Sequence, residues 1–336
     1  MRKGLVSIIF ALFFLFIGCS NKKYYEPKEI FSPAHAIVSS SESINSLTRE
    51  GATLESGNYL SKQGISSFSL EEGYRFLNED GRYVLVSNPD GILKVIIKAS
   101  HKTSQDINLL VPVVSATIHN DIIAYVLNDN SFGLYNMKTK QKLMQSRSGK
   151  MYVIDTRSAS PLFIDNIAVF PMLDGKIIIV NSENTNSSRV VYISNEKVFN
   201  NVIFLGRIGD TLIASTPSKV LSFGSEKNIY KANISEVAID KEKLYLFTKE
   251  GSVKRLDTHL KVLAEKKYKF AHYSVATAFD NKVYALDQRG SLIVMNDSFT
   301  KDKTYALDKV EEPAYISQKK LYKDGKVIDL STLGYE

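Results

Sequence analysis

Two series of tight-turn residues run in phase through this 336-residue chain, and they restrict its fold more than any other feature. The first comprises Glu50-Gly51, Asp90-Gly91, Asp129-Asn130, Asp174-Gly175, Pro217-Ser218, Glu250-Gly251, Arg289-Gly290 and Asp324-Gly325, each a polar break between β-rich runs. Most successive steps lie near ~40 residues, the unit of propeller blades, although the step from Ser218 to Gly251 is shorter. The second series lies about ten residues upstream, the reach of one short strand and its turn. It comprises Asp80-Gly81, Asn120-Asp121, Asp165-Asn166, Gly209-Asp210, Asp240-Lys241 and Asp280-Asn281. Gln318-Lys319 fills the place near the end, and the Ser39 to Ser43 cluster the place near the start. Asp, Asn and Gly recur here because they tolerate tight-turn backbone angles.

Between the paired turns lie runs that predict second strands: "YVLV" at Tyr83, "IIAYV" at Ile122, "IAVF" at Ile167, "LIAS" at Leu212, "LYLF" at Leu244 and "VYAL" at Val283. They are almost continuously apolar, as strands covered on both faces require. Third-strand runs follow the second turn, from "ILKVII" at Ile92 to "VIDL" at Val327, with more polar alternation. Fourth segments such as "KLMQS" at Lys142 and "KVLAEKKY" at Lys261 are more variable. The spacing predicts an all-β fold, a β-propeller of four-stranded antiparallel blades. Eight units can be counted, the first weakest, with seven blades as the alternative. A pair of β-sandwiches would not keep so regular a period. Because "KKLYKDGKVIDLSTLGYE" stops soon after its third strand, a strand from Ile30 to Ser39 is expected to complete the last blade.

The N-terminus carries its own signal. Arg2 and Lys3 precede an apolar run from Leu5 to Ile17, too short to serve comfortably as a permanent membrane helix. It ends "FIGCSN", with Gly18 before Cys19, the chain's one cysteine. This resembles the lipobox of bacterial lipoproteins, with Phe16 where Leu is usual. The resemblance implies a lipoprotein signal peptide over residues 1–18 and lipidation of Cys19. Ser20 after the cysteine implies the outer membrane, periplasmic face. Residues 19–33, polar and proline-bearing, read as a tether, and residues 34–336 as one propeller domain. Without a second cysteine the domain has no intramolecular disulfide and depends on its core. The formal charge of +7 is spread through turns and tails, with no basic stripe interleaved with aromatics, so nucleic acid is not an expected partner.

Two of the units, "VYALDQRGSLIVMND" and "LYLFTKEGSVKRLDTHLKV" with Asp257, resemble the quinoprotein-type (PQQ-like) propeller repeat. Together with the lipobox they make the chain similar to the BamB-like family of outer-membrane lipoprotein propellers. That family is associated with the β-barrel assembly machinery, and its blades usually end "TGK…W". This chain has no tryptophan, and residues such as Met144 and Leu263 stand at those places. A quinone cofactor in such enzymes sits between a tryptophan and adjacent cysteines, both missing here, so no cofactor is expected.

No chemical constellation stands out. His35, His101, His119, His259 and His272 are far apart, without HxxxH or CxxC spacing. The turn aspartates lack the dense spacing of a calcium loop, and there is no GxSxG, GxGxxG or GxxxxGK. Asp287 and Arg289 read as turn and surface residues. No catalytic, cofactor-binding or metal-binding residue is therefore assigned, and the chain is not expected to be an enzyme. The expectation is a lipid-anchored scaffold whose partners are envelope proteins, among them the β-barrel assembly machinery, with exposed tyrosines as interface material. The alternative is a propeller that binds a small ligand or glycan, or a hydrolase with its site at the channel mouth.

Overall fold

The turn residues do adopt the backbone angles that their chemistry permits. In the computed structural model, which describes residues 23–32, 38–151 and 154–336, both residues of Asn120-Asp121, Asp280-Asn281 and Gln318-Lys319 have positive φ. That is the geometry of two-residue hairpins whose twist matches the flanking strands. In the other series the positive φ falls on one residue at Gly91, Asn130, Gly175, Gly251 and Gly290, and on both at Asp324-Gly325. Gly290 is required on a second ground, because a Cβ there would run into the Leu307 carbonyl oxygen.

Among the described residues the strands gather into eight four-stranded antiparallel sheets, so the blade count is eight and not seven. Blades 1 to 7 span 44–69, 75–108, 113–147, 162–192, 204–231, 234–267 and 273–306, each running outward from its first strand. Blade 8 takes three strands from 315–329 and its outermost from the other end of the chain. There Val38–Ser40 pairs with Lys326–Asp329, Val38 opposite Ile328 and Ser40 opposite Lys326. The expected N-terminal closure is thus present.

Blade 1 departs from both turn series. Glu50-Gly51 lies between the first and second strands of blade 1, Ile44–Leu47 and Gly51–Leu54, not between the second and third. The second-to-third turn is at Gly57. The Ser39–Ser43 region is the outer edge of blade 8 and its exit, not a turn inside blade 1. Strands of only four residues compress the spacing of blade 1, which hides its phase in the sequence.

The core consists of eight apolar clusters, one for each pair of neighbouring blades, including blade 8 against blade 1. Successive residues of a second strand feed alternate clusters. Val283 and Ala285 face blade 6, while Tyr284 and Leu286 face blade 8. That explains the near-continuous apolar runs: each central strand is buried on both faces. Fully buried Tyr125, Tyr245, Tyr284, Phe76, Phe170 and Phe247 fill the gaps between blades, so aromatic packing persists without tryptophan. These tyrosines are core, not interface material. Burial pushes the Tyr125 and Tyr245 phenols up to about 12.

A turn between second and third strands also ties blades together. Buried Asn130 donates from Nδ2 to the Gly149 carbonyl at 2.8 Å and accepts from the Leu173 N–H at 2.9 Å. Asp287, read from sequence as a turn and surface residue, is a turn residue but is buried. Its carboxylate accepts from the His272 N–H at 2.7 Å and the Arg289 N–H at 2.8 Å.

The described part of the tether, residues 23–32, lies against blade 7. Phe31 forms a parallel bridge to Tyr305, with its N–H 2.9 Å from the Thr304 carbonyl and its carbonyl 2.9 Å from the Ala306 N–H. Tyr25 packs edge-on against Tyr268, and Tyr24 stacks under Arg289 at 3.6 Å. Residues 1–22, with Cys19, and 33–37, with His35, fall outside the described residues.

Deleting residues 23–41 removes the closing strand and this docked segment. It is expected to cost about 3–5 kcal/mol and roughly 10 °C in melting temperature, and an unchanged melting curve would sink the closure. The raised phenol pKa values give a second expectation. Their stabilisation is complete below the free tyrosine pKa of about 10 and fades as pH climbs towards 12. Ultraviolet titration should show phenolate appearing late, in step with alkaline unfolding.

Candidate interaction surface and central channel

First strands line the centre of a propeller, and here five of the eight carry a bulge close to their start, in blades 1, 2, 3, 6 and 7. A bulge breaks the in-out alternation and re-aims the next side chain. In blade 6 the residue beyond the bulge is Glu236, and in blade 3 it is Ser115. The central cavity they help to line holds about 760 Å³, with a side lobe of about 330 Å³ on the side of blades 2 to 4.

The channel carries three ion pairs, one of which crosses it. Arg49, from the first turn of blade 1, reaches Glu236 of blade 6 with both terminal nitrogens, Nη1 donating to Oε2 at 3.0 Å. Both side chains are largely buried. Burial works against the Arg49 charge, but the Glu236 carboxylate more than offsets it and raises the guanidinium above its ordinary value. Arg157 is held by Asp155, with Nε to Oδ1 at 2.8 Å, and donates from Nη1 to the Ser235 carbonyl. Burial likewise opposes the Asp155 carboxylate, and Arg157 wins, holding it below the usual carboxylate range. Lys62 pairs with Glu50. Sequence reasoning assigned none of these residues. The available signal was an acid inside an otherwise apolar first strand, Glu236 in "ISEVAID".

The histidines do not converge among the described residues. His101 stacks on Phe68 at 4.4 Å in the turn after a third strand, and His119 stacks on Phe163 and contacts Asn120. His259 lies in the Asp257 turn, and His272 is held by Asp287 through its backbone. No group of three His, Cys, Asp or Glu among the described residues is placed to hold a metal ion.

The outer rim is uneven. Eleven large apolar side chains are exposed among the described residues, and five of them concentrate on blades 4 and 5: Val190, Tyr192, Val198, Phe199 and Ile229. Val190 and Tyr192 are on the outer strand of blade 4, Ser188–Tyr192, and Ile229 is on that of blade 5, Lys227–Lys231. Val198 and Phe199 occupy the connection between the blades. The two blades are linked, Lys227 donating to the Tyr192 carbonyl at 2.8 Å and Arg189 lying over Phe223. Phe199 has φ of 50° with half its surface in water, so its backbone cost of about 1–2 kcal/mol is not recovered by burial. A cavity of about 560 Å³ next to it is lined by Tyr192, Lys150, Lys176, Lys197, Asp174 and Glu196.

No protein-family model matches the chain. The solved structure of BamB from Moraxella catarrhalis superposes with a TM-score of 0.69 at 12% identity, covering 87% of this chain and 98% of that one. The fold is BamB-like. Saccharomyces cerevisiae Sqt1 gives a TM-score of 0.62 at 11% identity over 87% of this chain and 97% of that one. In sequence, the chain is 26% identical to the plasminogen-binding protein PgbB of Helicobacter pylori strain J99, over 98% of this chain and 71% of the relative. PgbB of strain 26695 is similar to the same extent.

The ion pair across the channel has a clear expectation. Arg49→Ala leaves Glu236 buried without its partner and should lower stability by about 3–5 kcal/mol in a denaturant titration. The double change Arg49→Met with Glu236→Leu should recover most of that loss. Equal losses in the single and double variants would show that the two side chains do not act as a pair.

Proposed function

We propose that this chain is a non-enzymatic scaffold, held at the periplasmic face of the outer membrane by lipid on Cys19, that binds envelope proteins through the rim of blades 4 and 5. The observation that carries the reading is the concentration there of five of the eleven large apolar side chains exposed among the described residues. Tyr192 and Phe199 are anchors of the type that dominate binding energy. Blade edges also take up extended chain: residue 31 already pairs with the outer strand of blade 7. The free edge of Ser188–Tyr192 offers the same main-chain groups to a partner's strand. The BamB-like fold and the relationship to proteins named for plasminogen binding both support a protein ligand. Components of the β-barrel assembly machinery are the partners that the fold and the lipobox favour.

A bacterial lipoprotein carries several acyl chains, which gives stable residence at the membrane. Docking of residues 23–32 against blade 7 would then place the anchored edge two to three blades round the ring from the apolar rim. This leaves the rim open to partners.

Photo-cross-linkers at positions 192 and 199 in the full-length chain should capture barrel-assembly components in cells, and Tyr192→Ser with Phe199→Ser should abolish capture. Consistent absence of those components would refute that assignment. Cys19→Ser should move the protein from the membrane to the soluble fraction, and retention in the membrane would contradict the lipid anchor.

A further inference from the structure

The channel charges balance except at one place. Arg49, Arg157 and Lys62 each have a carboxylate partner, whereas Arg75, on the first strand of blade 2, has none among the described residues. Its Nη2 donates to the Val113 carbonyl at 2.6 Å, with the Val114 carbonyl at 3.4 Å. These flank the bulge of blade 3, so one nitrogen serves the fold. Nη1 and Nε have no acceptor among the described residues, and the side chain lines the 330 Å³ lobe. Burial depresses the Arg75 pKa and no neighbouring carboxylate offsets it, the reverse of Arg49.

The wall of the lobe adds the hydroxyl-bearing side chains of Thr48, Thr156, Ser158 and Ser160 among the apolar side chains of Leu47, Leu77, Val114 and Ile154. An unpaired planar guanidinium beside hydroxyls is a binding surface for a carboxylate on a hydroxyl-bearing body, with the fork of Arg75 taking the charge.

We propose that the lobe of the central channel is a binding site for a small hydroxylated carboxylate, a hydroxy acid or sugar acid. Arg75 pairs with the carboxylate, and the hydroxyls of the wall meet those of the ligand. The lobe has room for a molecule of about ten to fifteen heavy atoms, well below a folded partner. Occupation neutralises the channel arginine that has no carboxylate partner among the described residues. The site is separate from the apolar rim and does not depend on the scaffold reading.

Isothermal titration calorimetry on the mature chain would use malate, gluconate and glucuronate as probes, with glucose and inorganic phosphate as controls. At least one carboxylate should bind at millimolar concentration or tighter, glucose should not, and phosphate should bind more weakly. Arg75→Gln should weaken binding by about tenfold or more, as loss of a charge-assisted pair does. Ser160→Val, which removes a hydroxyl from the lobe wall, should weaken it with the Arg75 carbonyl contacts intact. This provides a test even if the Arg75 variant fails to fold. No heat from any carboxylate at about 10 mM, unchanged affinity in Ser160→Val, or equal binding of phosphate would each overturn the proposal.

Discussion

Everything in this molecule depends on each blade being covered on both faces by its neighbours. A four-stranded twisted sheet with two apolar faces has no stable existence alone. Eight such sheets in a ring supply one another with cover, and the eight apolar clusters are the physical form of that exchange. The condition is all or none, because a ring open at one interface leaves two apolar faces in water. That places unusual weight on blade 8, the smallest, whose outer strand comes from residues 38–40. The cluster of Ile44, Ala52, Leu54 and Leu60 with Tyr322 and Val327 then seals the ring.

The ring also divides the labour of its parts. Side chains between blades are committed to packing, and the turns to backbone geometry and to ties between blades such as Asn130. Two regions remain for contact with other molecules: the outer rim and the channel. On the rim, apolar exposure concentrates at blades 4 and 5, while blade 7 is occupied by the chain's own N-terminal segment. In the channel, bulges at the starts of first strands turn polar side chains inward, and the Arg49–Glu236 ion pair crosses between distant blades. Partner binding outside and ligand binding inside are therefore compatible on one rigid frame.

Much of the architecture was legible in the sequence because it rests on local rules. Asn120-Asp121 and Asp280-Asn281 advertise positive φ, and runs such as "VYAL" advertise burial on two faces. Those signals located the strands of blades 2 to 8 and the N-terminal closure. Blade 1 was misphased because its strands are too short for the spacing to show. The channel residues escaped for a different reason: Arg49 and Glu236 are 187 positions apart, and only ring closure makes them neighbours. Arg75 looks like any other surface arginine until its cavity exists. The rim of blades 4 and 5 was equally hidden, since exposed Val190 and buried Val191 differ only in which face of one strand they occupy.

Native-state hydrogen exchange read at the strands Lys320–Lys323 and Lys326–Asp329 tests ring closure most directly. If the ring opens only with the whole domain, their amides should exchange as slowly as those of the central strands of blades 2 to 7 and share the same denaturant dependence. Exchange in blade 8 faster by orders of magnitude, with the rest still protected, would show that the ring is not closed there.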